Sequence, residues 1–570
     1  MNFGSAGNII VLLALATQAC HSTLRDNPAF VFDGKTAMLS LANYEKSDET
    51  GQAFSQLIIL DKNSTVTIEI VEIPPGVSFF ITQIHTHLYN VTLSYDEKII
   101  ARRYTSGSNI GLVINVNERN APKIYVKNDN QANVEALLAV VAYPDNAPVP
   151  GGCNMEFDTE IAPYHELTVT DSTVKVDIQP GASPKSKGIP VPCEAHAVQH
   201  EMYRLFLPEQ DFTSSTYFSS IVDVLTVQGI RANSRKIPSS ATGSKMRRVY
   251  SAYPGTGSVY AALAITGNNT AAYVPAFTYA CSPSNWMDTC QVLNSPFSKV
   301  LCAVILFLGF FTTFLGHRYF KTEMFLLGFL SGALLSYITV AIVGNYGPSG
   351  NIGISVFLGC ILGLTWLGFW WLYAIPVFAI LLATTTLGFF WSSIAYFSSP
   401  AGVGYLENDT NFWLIFILLI FFVPLALSVV PDSANIICCA ILGSYSVVIS
   451  IDHYVGSNLK YIIINIMRRA TSPGFNVAVI HPPYQSKDIC LTVFWIILAV
   501  AGIIFQLRLN RGRPPFPPGM SVPGTRNLPQ SERTPLLVES RMPISASRSD
   551  DHIFESPKWY NRFFPCFKLY

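Results

Sequence analysis

The rhythm of apolar and polar positions changes once along the chain, near residue 296. Before it, short runs rich in Val, Ile, Thr, Tyr and Phe alternate with a period of two. Residues 65–70, 78–84 and 168–178 are examples, broken by Pro74-Pro75-Gly76 and Pro180-Gly181. That period puts successive side chains on opposite faces of a strand, so the region between Phe30 and Ala280 reads as antiparallel β-sandwich material. About 250 residues suffice for two such domains, and the turn-rich stretch 144–152 is the natural seam.

After the change, seven apolar stretches follow: 297–316, 324–343, 352–371, 375–397, 412–430, 434–451 and 489–507. Each approaches the ~20 residues that cross a bilayer as a helix. Breakers separate them: Gly347-Pro348, residues 399–404 and Pro431-Asp432. Only residues 372–374, ahead of Pro376, divide the third stretch from the fourth, and one long kinked segment is the alternative there. The fold class expected is a membrane α-helical seven-span bundle preceded by a β-rich, β-sandwich-like extracytoplasmic region. Its parts are a signal peptide (1–22), two β-rich segments (23–147 and 148–295), seven transmembrane helices (296–508) and a disordered cytosolic tail (509–570).

Composition agrees with a membrane protein. Hydrophobic residues make up 50% and charged residues 13%, half the ~25% of soluble domains. Residues 324–406 contain no Asp, Glu, Lys or Arg. The net charge of zero points to no nucleic-acid partner. At the start, the apolar run 9–16 and the small and polar residues 19–22 form a signal-peptide pattern, too short to span. It has no preceding Lys or Arg, so the amino terminus supplies the charge; a buried strand is the alternative.

Cleavage there leaves Cys153, Cys193, Cys281 and Cys290 in an oxidising lumen. Of the three connectivities open to four cysteines, the reading adopts Cys281 with Cys290 and Cys153 with Cys193. Asn63, Asn90, Asn268 and Asn408 open glycosylation sequons, which must face the lumen. The last is lumenal only if the uncharged stretch crosses three times, and seven crossings then put the carboxyl terminus in the cytosol. Arg318, Lys321, Arg508, Arg511 and Arg513 fit the excess of positive charge on cytosolic loops, whereas Arg468 and Arg469 depart from it.

Candidate chemistry is sparse. Cys193, His196 and His200 have a spacing that could ligate zinc, but the cysteine is better used in a disulfide and the histidines read as surface residues. His85 and His87 share one side of a strand, expected to be a polar face. No nucleophile elbow, phosphate loop or dinucleotide fingerprint occurs, so no catalytic, cofactor or metal residues are assigned. No span carries a charge at its centre, which argues against pumps and ion-coupled transport. No Asp-Arg-Tyr follows the third span and no Asn-Pro-x-x-Tyr ends the seventh, which disfavours direct G-protein coupling. Gly328-xxx-Gly332 and Gly359-xxx-Gly363 allow the second and third helices to approach closely.

Several segments resemble the transmembrane 7 superfamily member 3 family: Val149-Pro-Gly-Gly-Cys-Asn154, Phe206-Leu-Pro-Glu-Gln-Asp211, the run from Ala271 to Ser282, Gly316-His-Arg-Tyr-Phe-Lys-Thr-Glu323, Gly443-Ser-Tyr-Ser-Val-Val448 and Glu532-Arg-Thr-Pro-Leu-Leu537. The membrane half is also similar to a broader seven-span domain found in a Wnt-signalling membrane protein. The resemblance implies a non-enzymatic role in cell survival and in attenuating secretory-pathway (unfolded-protein) stress, with no ligand assigned. An orphan receptor for a lumenal ligand is the alternative, and a channel or transporter for an uncharged solute the next. From Arg508 onward the tail carries ten basic and five acidic residues. Glu532, Leu536 and Leu537 have the form of an acidic dileucine signal for sorting adaptors, Tyr560 to Phe563 that of a tyrosine signal, and Cys566 is a candidate for acylation. Where the family pattern ends close to the Leu-Leu motif, 33 residues follow here. Expected partners are membrane lipids, such adaptors and proteins not yet named. The expected residence is the plasma membrane, the endosome-lysosome system, or both.

Overall fold

A computed structural model describes residues 30–511, apart from 45–51, 117–121, 186–190, 195–197, 239–245, 284–289, 292–295, 345, 374–375 and 400–403. The expected signal peptide, His196, Arg513 and the expected sorting motif Glu532, Leu536 and Leu537 lie outside the described residues.

In the first β domain, strands Gln52–Leu60, Val134–Tyr143, Phe79–Thr86 and Asn109–Asn115 form an antiparallel sheet in that order. A second sheet runs Phe30–Phe32, Thr36–Ser40, Ser64–Val71, Lys123–Asn128, Val91–Ser94, Tyr104–Gly107. Strand Val134–Tyr143 explains the packing. Its even positions, Ala136, Leu138, Val140 and Ala142, enter the core between these two sheets. Its odd positions, Leu137, Ala139, Val141 and Tyr143, enter cores shared with the second β domain. A strand buried on both faces has no solvent side to mark with polar residues, so it reads as a continuous apolar run.

The second β domain sets strands Glu166–Val169, Thr173–Ile178 and Met246–Ser251 beside a sheet ordered Arg235–Ile237, Gln199–Glu209, Thr256–Thr266, Asn269–Ala272. The run expected over 168–178 is a hairpin instead, because the Thr170 N–H and hydroxyl both bond to the Thr173 carbonyl. Two short helices, α1 (Ser214–Val222) and α2 (Val227–Asn233), interrupt the strands, and Thr226 caps α2 by accepting from the Gly229 N–H. Tyr217, Phe218 and Ile221 of α1 fill the interdomain core. Disulfides join Cys153 to Cys193 and Cys281 to Cys290.

The membrane half contains α3 (Pro296–Leu315), α4 (Phe320–Val343), α5 (Gly347–Tyr373), α6 (Pro376–Phe397), α7 (Asp409–Leu427), α8 (Pro431–Val455), α9 (Tyr461–Thr471) and α10 (Ser486–Leu509). Among the described residues, six continuous apolar helical stretches are long enough to cross a bilayer, and the first, Pro296–Val343, has 48 residues. That is twice one crossing, and the 3-10 turn Gly316–Tyr319 folds it into α3 and α4. Seven helices of spanning length result. α4 and α5 meet closely: a Cβ on Gly328 would lie 3.1 Å from the Gly363 Cα. The ninth helix is too short to span, and its buried residues, Tyr461, Ile462, Asn465, Ile466 and Arg469, form one face. One end of the bundle faces the β domains, where the Tyr454 hydroxyl of α8 donates to the Lys299 carbonyl of α3 at 2.8 Å. At the far end the His317 N–H donates to Gln506 Oε1 of α10 at 3.1 Å.

Candidate functional site

The second β domain and the membrane half are joined through the connection between α8 and α10. Gly456 ends α8 in the left-handed region (φ 78°), where glycine carries no Cβ penalty. Asp452 then accepts from the Lys460 N–H at 2.8 Å and turns the chain into α9. From α9, Arg468 donates to the Ala252 carbonyl at 2.6 Å and to the Asp171 carbonyl at 3.0 Å. The Ser251 hydroxyl donates to Asn465 Oδ1 at 3.0 Å. Arg469 faces the other way, pairing with Asp409 at 2.8 Å and donating to the Leu406 carbonyl at 3.1 Å. Both arginines that depart from the charge rule are therefore bound to protein on the β-domain side of the bundle.

Further along, the chain becomes an edge of the second β domain. The Val479 N–H donates to the Val249 carbonyl at 2.8 Å, and the Ser251 N–H donates to the Val479 carbonyl at 3.1 Å. This short parallel bridge supplies an exposed strand edge with a partner. Tyr253 packs edge-on to Tyr461 with ring centroids 4.8 Å apart.

At the start of α10 two acids approach each other under cover. Glu209 ends strand Gln199–Glu209, and its side chain accepts from Asn458 Nδ2. Asp488 takes the Asn458 N–H at 2.7 Å and the Gln485 N–H at 3.0 Å. Gln485 closes the ring, accepting from the Glu209 N–H at 3.1 Å and donating to the Leu207 carbonyl at 2.7 Å. Burial, then the neighbouring Asp488, pushes Glu209 up to about 8. Near neutral pH Glu209 is thus held mainly as the neutral carboxylic acid. None of these partners is legible from local sequence; the one signal is Gln485 three residues before Asp488, a capping-box spacing.

The sequence-derived sites lie apart from this junction. Asn63, Asn90, Asn268 and Asn408 are all exposed. Asn408 caps α7 through Oδ1, which accepts from the Thr410 N–H at 2.9 Å and leaves its side-chain nitrogen out of the cap. The histidine expectations are corrected. His85 is fully buried between the two β domains, with Asn109 at 2.9 Å and Gln83 at 3.1 Å, and burial lowers it to about 4. His87 meets the Tyr279 hydroxyl at 2.8 Å. Their shared side is right, but that side is covered by the second β domain rather than water. His200 is buried too, its Nε2 accepting from the Gly181 N–H at 2.9 Å. Among the described residues, no three His, Cys, Asp or Glu side chains are placed to hold a metal. At the far end of the bundle, α4 begins before the expected Met324 and takes in Glu323, buried and accepting from Asn435 Nδ2 at 2.8 Å.

This order of parts matches known families. Residues 46–143 match a TM7SF3-like N-terminal immunoglobulin-like domain, residues 148–284 the second such domain, and residues 302–507 a TM7S3/TM198-like domain. The human protein transmembrane 7 superfamily member 3 is 32% identical over 460 residues, 78% of this chain and 80% of its own. The chain belongs to the transmembrane 7 superfamily member 3 family. The rat member is 32% identical over 463 residues, covering 78% of this chain and 81% of its own. For the mouse member the identity is 29% over 477 residues, with 81% and 83% covered. In this family member Glu209 falls within the match to the second immunoglobulin-like domain, and Arg468 and Asp488 within the match to the TM7S3/TM198-like domain.

Proposed function

We propose that this member of the transmembrane 7 superfamily member 3 family is a non-enzymatic glycoprotein of the secretory pathway that promotes cell survival and attenuates unfolded-protein stress. The stress and survival role is taken from the family resemblance. The observation that carries a physical mechanism is the junction: Arg468, Val479 and Gln485, all from the connection between α8 and α10 or its end, bond directly to the second β domain. A change in the β domains therefore reaches α8 and α10 without passing through a flexible linker.

The proposed topology has the β domains in the lumen or outside the cell and the tail in the cytosol. Supporting it are the four exposed sequons, the two disulfides, and the exposed Arg318 and Lys321 at the far end of the bundle. Glu532, Leu536 and Leu537 would then meet cytosolic sorting adaptors and set residence between plasma membrane and endosome-lysosome. A lumenal-ligand receptor is the second reading. It is favoured by a polar cleft beside the junction, lined by Gln210, Gln291, His453, Ser457, Asn458 and Lys460 among others.

The test is re-expression in cells lacking the protein, with an unfolded-protein reporter read during stress. The wild-type chain should lower the reporter, and Arg468→Glu at equal membrane abundance should not. Equal rescue by both would overturn the mechanism.

A further inference from the structure

Two helix ends meet at the far end of the bundle, and one side chain ties them. α3 stops at Leu315, so its last carbonyls have no partner within the helix. Gln506 of α10 is only 2% exposed and supplies one: its Nε2 donates to the Thr313 carbonyl at 2.7 Å, and its Oε1 accepts from the His317 N–H at 3.1 Å. The 3-10 turn Gly316–Tyr319 is held from another side as well. A Cβ on Gly316 would lie 3.0 Å from Cys439 Sγ of α8, and Asn435 Nδ2 stands 3.3 Å from His317 Nδ1. Phe314 and Phe505 pack edge-on with ring centroids 5.6 Å apart. The turn is therefore fixed on both α8 and α10.

What this corner presents outward is positive. Arg318 leaves the fixed turn, Lys321 the first turn of α4, Arg508 the last turn of α10, and Arg511 follows that helix; all four are exposed. Among the described residues none of the four makes an ion pair. Arg318 lies over the half-exposed ring of Tyr319 instead, 5.9 Å from its centroid. Two acids share this end of the bundle among the described residues. Glu323 is turned inward, accepting from Asn435 Nδ2, and Asp432 stands in the first turn of α8. Cations at a cytosolic helix end are general to membrane proteins. The particular feature here is that His317 and Gln506, 189 positions apart, bond directly and bring two cationic helix ends side by side.

We propose that this corner binds the headgroup of a polyphosphorylated inositol lipid in the adjoining leaflet. Several phosphate groups are needed to answer four exposed cations, because a headgroup with one net charge leaves most of them unpaired. Arginine suits such a partner, since its planar fork gives two parallel bonds to one phosphate. The site lies where helix ends enter the headgroup layer, and the exposed Tyr319 ring has the apolar body and polar tip that this layer accepts. A headgroup held between the α3–α4 turn and the end of α10 would clamp those helices at the end opposite the β domains. That the leaflet is the cytosolic one rests on the proposed topology. The binding itself depends neither on that topology nor on the stress role.

The experiment uses the full chain in phosphatidylcholine nanodiscs, doped with phosphatidylinositol bisphosphate or with enough phosphatidylserine to match its charge. Native mass spectrometry counts the lipids retained per chain as the dose rises. Retention of the bisphosphate lipid should saturate at one per chain, with far less of the serine lipid kept. Arg318→Gln with Lys321→Gln should weaken retention about tenfold or more, and so should Arg508→Gln with Arg511→Gln. Lys299→Gln, at the opposite end of α3, should leave it unchanged. Equal retention of the two lipids at matched charge would overturn the proposal, since diffuse surface attraction then suffices. Undiminished retention in either double variant would overturn it too, and where a variant does not accumulate the wild-type comparison of the two lipids decides. Soluble inositol trisphosphate serves as competitor: displacement at the lipid's own concentration would mark a site for free phosphates and overturn the lipid assignment.

Discussion

Arg468 donates to the Ala252 carbonyl at 2.6 Å, which fastens a helix of the membrane half to the end of a strand in the second β domain. The same guanidinium reaches the Asp171 carbonyl, so it closes two chain segments of that domain onto α9. Hydrogen bonds from a charged donor contribute roughly 1.5–3 kcal/mol. Arg468→Ala should therefore lower the stability of the docked β domain by about 2–3 kcal/mol. The check is limited proteolysis of the full chain in nanodiscs: cleavage near residues 246–252 should accelerate in Arg468→Ala and stay at the wild-type rate in Arg469→Ala, whose partners lie at the start of α7.

The acid pair gives a second prediction, with a definite sign. Glu209 is raised from 4.5 to about 8 by burial and by Asp488. Folded protein then holds a proton that unfolded chain releases at lower pH, so the stabilisation is complete below 4.5 and is lost as pH rises through about 8. Facing Glu209 are Asp488, Lys487 and Asn458. Glu209→Gln mimics the protonated acid and should flatten the fall in melting temperature across that interval. A wild-type protein that gains stability over the same interval would contradict the assignment.

Glycosylation supplies a third. Asn408 sits at the start of α7 with its side-chain oxygen engaged in the cap and its surface open. In a chain already lacking Asn63, Asn90 and Asn268, Asn408→Gln should remove the last glycosidase-sensitive shift in gel mobility. An unaltered shift would place that end of α7 in the cytosol and break the proposed topology.

What the sequence made legible follows the strength of the physical constraint. A bilayer demands a full apolar span, so the stretch expected at 297–316 appears as Pro296–Leu315, and that expected at 489–507 as Ser486–Leu509. The close pair α4 and α5 was legible because small residues four apart leave room for a neighbouring backbone. His85 was not legible in this way. Alternation places it on one face correctly, but only tertiary packing decides whether water or a second domain covers that face. The junction was harder still, since Asn458 and Glu209 are 249 residues apart in the chain. Arg468 and Arg469 were a second visible sign: two cations that depart from the expected charge asymmetry, because the protein itself supplies their acceptors.

The connection between the last two spanning helices is part of the second β domain's sheet. Hydrogen–deuterium exchange of the full chain, resolved at the Val479 and Ser251 amides, tests it most directly. Both N–H groups are committed to main-chain carbonyls across the junction, at 2.8 and 3.1 Å. The two amides should exchange slowly and at matching rates, and both should quicken together in Arg468→Ala. Exchange at Val479 as fast as in a free loop, beside a protected Ser251, would contradict it.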